Sequence, residues 1–169
     1  MTALSLARSR ASKSGSRAED HLSAIHDAHR AAGIADMRKL PTPMRVVGQA
    51  GPGVVKAVYA AKAGADYRGW LSDGRAACVE LKRVTTPNVG GGITISSLNI
   101  LREERADLDS CRAAGGLSLL VVMLGPRLVA IRWGDVRTMI DAGHTGIPAD
   151  VVDANVARPG SLYLARWVS

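Results

Sequence analysis

The sequence has little from which to build a membrane anchor, a disulfide scaffold or an aromatic binding platform. Its longest purely apolar run, Leu119 to Leu124, is far too short to cross a bilayer. The stretch MTALSLARSRASKSGSRAED has no continuous apolar segment of the secretory kind, so a cytoplasmic chain is expected. Two cysteines, Cys78 and Cys111, make no disulfide framework and are not spaced as a zinc site, and both are read as reduced core residues. Aromatics are 4% of the chain, so Trp70, Trp133 and Trp167 are expected in core or interface rather than as base-stacking platforms. Acid is missing from two stretches. Residues 1–17 hold Arg8, Arg10, Lys13 and Arg17, and residues 37–65 hold Arg38, Lys39, Arg45, Lys56 and Lys62, with no Asp or Glu in either.

What is present is basic and of one-domain size. The 169 residues carry 22 Lys plus Arg against 15 Asp plus Glu, a net charge of +7. A basic chain without a membrane span most often meets a polyanion, and the acid-free stretches suggest phosphate-contacting surfaces whose binding weakens steeply with salt.

Residues 1–15 read as a flexible basic arm, and residues 16–169 as a single domain. Ser16 reads as the N-cap of a helix that Gly33 stops, with Ala18, Leu22, Ile25, Ala28 or His29, and Ala32 on its apolar face. Pro41 and Pro43 exclude helix from KLPTPMRVV, an extended entry into a short strand. GQAGPG breaks the chain, and Val54–Ala63 fits a strand or a short helix. Tyr67–Leu71, the Ser72-Asp73-Gly74 turn and Arg75–Val84 form a hairpin. A second helix follows from about Ser97 to Ala114, then two apolar strands. Asp135 caps a third short helix, and SLYLARWVS closes as an edge strand. The order α-β-β-β-α-β-β-α implies a mixed sheet with helices against it, an α/β fold.

The chemistry lies in the hairpin. Side chains alternate along a strand, so Glu80 and Lys82 share one face while Leu81, with Ala77 and Val79, turns to the other. The Asp73-Gly74 turn sets a register that brings Asp66 near residues 80–82. Two carboxylates and one ammonium then converge. A hard cation such as Mg²⁺ takes one or two carboxylates and keeps several waters. It can activate one of those waters against a phosphodiester, with a lysine nearby to orient the water or offset the charge of the phosphorane. Asp66 and Glu80 are therefore the expected ligands, with the Leu81 carbonyl as a further oxygen and Lys82 as the electrostatic group. The plain alternative is a cross-strand Glu–Lys pair on a solvated sheet face. Gly90–Gly92 lacks a following Lys-Ser or Lys-Thr, so no nucleotide P-loop is expected. His21, His26 and His29 have no nearby Cys and read as surface or packing residues rather than zinc ligands.

Asp66 with Glu80-x-Lys82 in this element order resembles the PD-(D/E)xK nuclease superfamily, and more narrowly RecU-type Holliday junction resolvases. The matching pieces are Arg17-Ala-Glu19, KLPTPMRVV, VVKAVYAAKAGADYRG, CVELKR and the apolar strand after Gly115-Gly116, over roughly residues 15–125. The resemblance implies a restriction-endonuclease-like fold and a homodimer. It implies a Mg²⁺-dependent endonuclease, with Mn²⁺ as a substitute, that nicks four-way DNA junctions symmetrically. A segment between the first two strands, here about residues 48–62, would project into the junction as a stalk. Gly64-Ala65 stand where the family tends to carry Ser-Thr, and Glu104, or Glu103, where it has a Gln facing the metal. Glu19 has two readings, the capping box Ser16-x-x-Glu19 or a first-helix carboxylate that approaches the metal. Two rivals remain: a restriction-like or repair endonuclease of the same superfamily, and a non-catalytic basic DNA-binding module.

Overall fold

Helix α1 (Ala3–Ala31) leads into a computed structural model that describes residues 3–41, 44–59, 64–158 and 161–168, the backbone alone for 3–16 and 59. The helix begins at Ala3, not Ser16, so the backbone of residues 3–15 is helical and continuous with it. Ala, Leu, Arg and Lys dominate that stretch, and all are strong helix formers. Ser16 therefore lies inside the helix and not at its N-terminus. The inward stripe is Ala18, Leu22, His26 and His29, while Ala28 and Ala32 are exposed.

Strands β1 (Ala35–Lys39), β4 (Tyr67–Leu71), β5 (Ala76–Val84), β7 (Leu117–Leu124) and β8 (Arg127–Arg132) form one sheet in the order β1-β4-β5-β7-β8. Only β5 and β7 run parallel. Helix α2 (Arg102–Ala113) makes the crossover that a parallel pair requires. Alternation along the strands splits the core in two. Tyr67, Val79, Leu119 and Val121 pack with Leu22 of α1 and Tyr163 of the tail. Cys78, Leu120, Val122 and Ile131 pack with Leu108 and Cys111 of α2 and with Trp133 and Val136 of α3 (Trp133–Asp141). The sheet is thus mixed and flanked by helices on both faces. Gly69 is required where β4 meets β1, because a Cβ there would collide with the Asp36 carbonyl.

Between β1 and β4 the chain makes a sheet of its own, the ribbon of β2 (Met44–Gly51) and β3 (Val54–Tyr59). The expected strand over KLPTPMRVV is therefore divided: Lys39 ends β1, and Met44 opens the ribbon. The segment expected to project, residues 48–62, falls largely on this hairpin, which starts at Met44 rather than Gly48; residues 60–62 lie outside the described residues. Val54–Tyr59 is strand, as its β-branched residues favour. A short 3-10 turn (Ile95–Leu98) precedes α2, so the expected second helix starts at Arg102 instead of Ser97. Asn99 interrupts it in the left-handed conformation, at φ 44°. Strands β6 (Ile93–Thr94) and β9 (Gly146–Ile147) pair, and α4 (Ala149–Ala154) follows. The tail is a 3-10 helix (Tyr163–Trp167), not an edge strand, and it packs Tyr163, Leu164 and Trp167 into the core beside α1. Trp133 and Trp167 are buried as expected, but Trp70 is 66% exposed. Both cysteines are free and buried. Among the described residues no helix is long and apolar enough to cross a membrane.

Candidate active site

The hairpin register pairs Tyr67 with Val79, which sets Asp66 opposite Glu80 just beyond the last paired residues. Two reciprocal hydrogen bonds lock that junction. The Asp66 N–H donates to Glu80 Oε2 at 3.2 Å, and the Leu81 N–H donates to Asp66 Oδ2 at 3.0 Å. Glu80 is 0% exposed, so the pair is no solvated sheet decoration. Leu81 points to the α1 face and packs at the edge of that core, as alternation requires.

Lys82 lies between two carboxylates. Its Nζ is 2.7 Å from Glu80 Oε1 and 2.6 Å from Glu104 Oε2, and it also donates to the Asn99 carbonyl at 3.3 Å. Glu104 is buried and reaches back to accept the Leu101 N–H at 2.9 Å, which fixes the first turn of α2. Burial pushes the Glu80 carboxyl up to about 7, the Asp66 charge pushes the same way, and Lys82 opposes both. Buried carboxylates crowded around one ammonium are costly to assemble for stability alone.

The structure thus brings Asp66, Glu80, Lys82 and Glu104 together, with Glu104 on Lys82, while Glu103 is exposed. Among the described residues no three His, Cys, Asp or Glu side chains are grouped as a ready ligand set. Glu19 pairs with Lys39, Nζ to Oε2 2.6 Å, and its carbonyl accepts from Tyr67 Oη at 3.0 Å. The capping-box reading of Glu19 falls with the Ser16 cap. His26 and His29 are packing residues. His29 Nδ1 lies 2.8 Å from the Ile25 carbonyl while its Nε2 accepts the Leu164 N–H at 3.0 Å, which fixes the neutral tautomer. His26 Nε2 lies 2.7 Å from Tyr163 Oη.

Of the expected phosphate contacts, Arg17 on α1 and Lys39 at the end of β1 are exposed. Arg45 and Lys56 are exposed on the ribbon, where the register sets both on one face. The opposite face carries Met44, Val46 and Val55, all exposed. The side chains of Arg8, Arg10 and Lys13, and residue Lys62, lie outside the described residues. Sequence reasoning missed Asp107, whose Oδ2 accepts the Ala65 N–H at 2.8 Å. Its spacing of three from Glu104, one helical face, was the available signal.

No protein-family model matches the chain, and no curated protein is significantly similar to it.

Proposed function

We propose that this chain is a Mg²⁺-dependent endonuclease that nicks four-way DNA junctions as a symmetric homodimer. The observation that carries the reading is a fully buried Glu80 tied to Asp66 on one side and to Lys82 on the other. The donors suit the ion: they are hard oxygens, and Mg²⁺ needs only one or two carboxylates besides its waters. The Asp66 charge adds to the cost of ionising the buried Glu80, which a cation relieves. Asp66 and Glu80 would hold the ion, with the Leu81 carbonyl as a further oxygen. When bound, the ion polarises the scissile phosphate and lowers the pKa of a bound water. Lys82 supplies positive charge against the phosphate as the nucleophile adds, and Glu104 keeps its ammonium in place. Arg17, Lys39 and the Arg45–Lys56 face of the ribbon contact phosphates and read shape rather than base sequence. Two opposed strands must be cut in matched positions, and a chain with one such site meets that need as a twofold dimer. The order of β1, β4, β5 and β7 around α2 agrees with the restriction-endonuclease-like fold that the motif resemblance implies.

The test compares a labelled four-way junction with a linear duplex of the same sequence, with and without Mg²⁺. Paired symmetric nicks in the junction alone, dependent on Mg²⁺ and lost in Glu80→Gln while junction binding persists, are the expected result. Equal cutting of the duplex favours a restriction-like or repair endonuclease. Binding without cutting, unchanged in Glu80→Gln, leaves a DNA-binding module.

A further inference from the structure

We infer that Asp107 is a positioning residue that fixes Asp66 for cation binding by clamping the chain immediately before it; the inference rests on the nuclease reading above. Asp107 Oδ2 accepts the Ala65 N–H at 2.8 Å and the Arg68 Nε–H at 3.1 Å, and Arg68 donates a second time, to Oδ1. The fork is bidentate, and the Asp107 side chain is 13% exposed. One carboxylate of α2 thus holds the chain on both sides of Asp66, at residue 65 before β4 and at residue 68 within it. Gly64 completes the clamp. Its φ is +90°, and a Cβ there would lie 2.5 Å from Asp107 Oδ2, so the chain approaches the carboxylate only because residue 64 has no side chain.

The same helix face holds the other half of the site. Glu104, three residues before Asp107, binds Lys82. Asp66 and Lys82 therefore keep their relation through α2 as well as through the hairpin ladder. Without Asp107, the segment entering Asp66 keeps a glycine hinge and loses the bond at the Ala65 N–H. The Asp66 carboxylate still accepts the Leu81 N–H, but on a less firmly held backbone.

The test uses the full chain with Asp107→Ala, Asp107→Asn and Gly64→Ala, and reads three quantities: Mn²⁺ affinity by calorimetry, hydrogen exchange at the Ala65 amide without metal, and the thermal midpoint. Asp107→Ala is expected to weaken Mn²⁺ binding about tenfold or more, as loss of an outer-shell partner does. Ala65 exchange should speed about tenfold with helix content unchanged. Asp107→Asn, whose remaining oxygen can still accept the Ala65 N–H, should fall between; Gly64→Ala, which pushes the carboxylate away, should resemble Asp107→Ala. A lower thermal midpoint with unchanged Mn²⁺ affinity would make Asp107 a structural clip only and overturn the inference, as would unchanged Ala65 exchange. If Asp107→Ala does not fold, Asp107→Asn decides by the same readouts. A wild-type protein that binds Mn²⁺ but cuts no DNA sinks the nuclease reading and leaves the clamp standing. One that cuts DNA while the variants match it in affinity sinks the clamp alone.

Discussion

Lys82 is the residue on which the site's electrostatics turn. It neutralises two buried carboxylates, so Lys82→Ala should leave Glu80 and Glu104 uncompensated and cost about 3–5 kcal/mol of folding stability, measurable by urea denaturation. A loss under about 1 kcal/mol would place Lys82 on an ordinary surface pair. His26 makes a second prediction. Burial drives it down to about 3 from its ordinary 6.5, with the His29 and Arg30 charges adding to the fall. The unfolded chain then binds a proton that the folded chain refuses, so the His26 contribution is fully present above about 6.5 and is lost as pH falls toward 3. Glu80 acts in the opposite sense, because its folded carboxyl holds a proton up to about 7 and stability from it grows as pH falls. Comparison with His26→Leu cancels that second effect. The wild-type advantage should shrink by about 1.4 kcal/mol per pH unit below 6.5, and a constant difference would contradict the assignment. Residues 66, 80 and 82 were legible because strand alternation and a tight turn fix where side chains meet. Glu104 was legible only as one of two neighbours, since the loop of residues 85–101 gives no register. Asp107 escaped because its spacing from Glu104 says only which helix face it shares, and its partners, the Ala65 N–H and Arg68, are set by how α2 approaches the chain.

Among the elements, the β2–β3 ribbon is the least tied to the rest, forming a two-stranded sheet that the main five strands pair without. Such a ribbon is marginal alone. Replacing residues 44–59 by a short Gly-Ser linker should leave the thermal midpoint within a few degrees and the main sheet intact, while weakening junction binding about tenfold or more through loss of Arg45, Lys56 and the apolar face. A collapse of the fold would make the ribbon part of the core. Its position was anticipated from the family resemblance, which set a projecting segment at about residues 48–62, but its start was not. Met44 to Val47 read equally well as a sheet strand, and nothing local separates a ribbon from the sheet it leaves. The long α1 was hidden for a different reason. Residues 3–15 show helix-forming composition without core periodicity, and composition of that kind also describes an arm. The tail turned helical because Tyr163, Leu164 and Trp167 pack beside α1, a tertiary choice that a short alternating segment does not announce.

At the scale of the whole molecule, the fold holds one helix layer on each side of a mixed sheet, with the candidate site on the α2 face and the His26–His29–Tyr163 cluster on the α1 face. A net charge of +7 suits a polyanionic partner, and the acid-free stretches include the exposed Lys39, Arg45 and Lys56. The fold class was legible from the order of elements, because a parallel pair needs a crossover helix and hairpins need none. The account depends first on Asp66 and Glu80 sharing a divalent ion. Titration of the metal-free protein with Mn²⁺ by calorimetry measures that directly. The account predicts one site per chain, abolished by Glu80→Gln and by Asp66→Asn with both variants folded; no saturable binding, or binding indifferent to both substitutions, would contradict it.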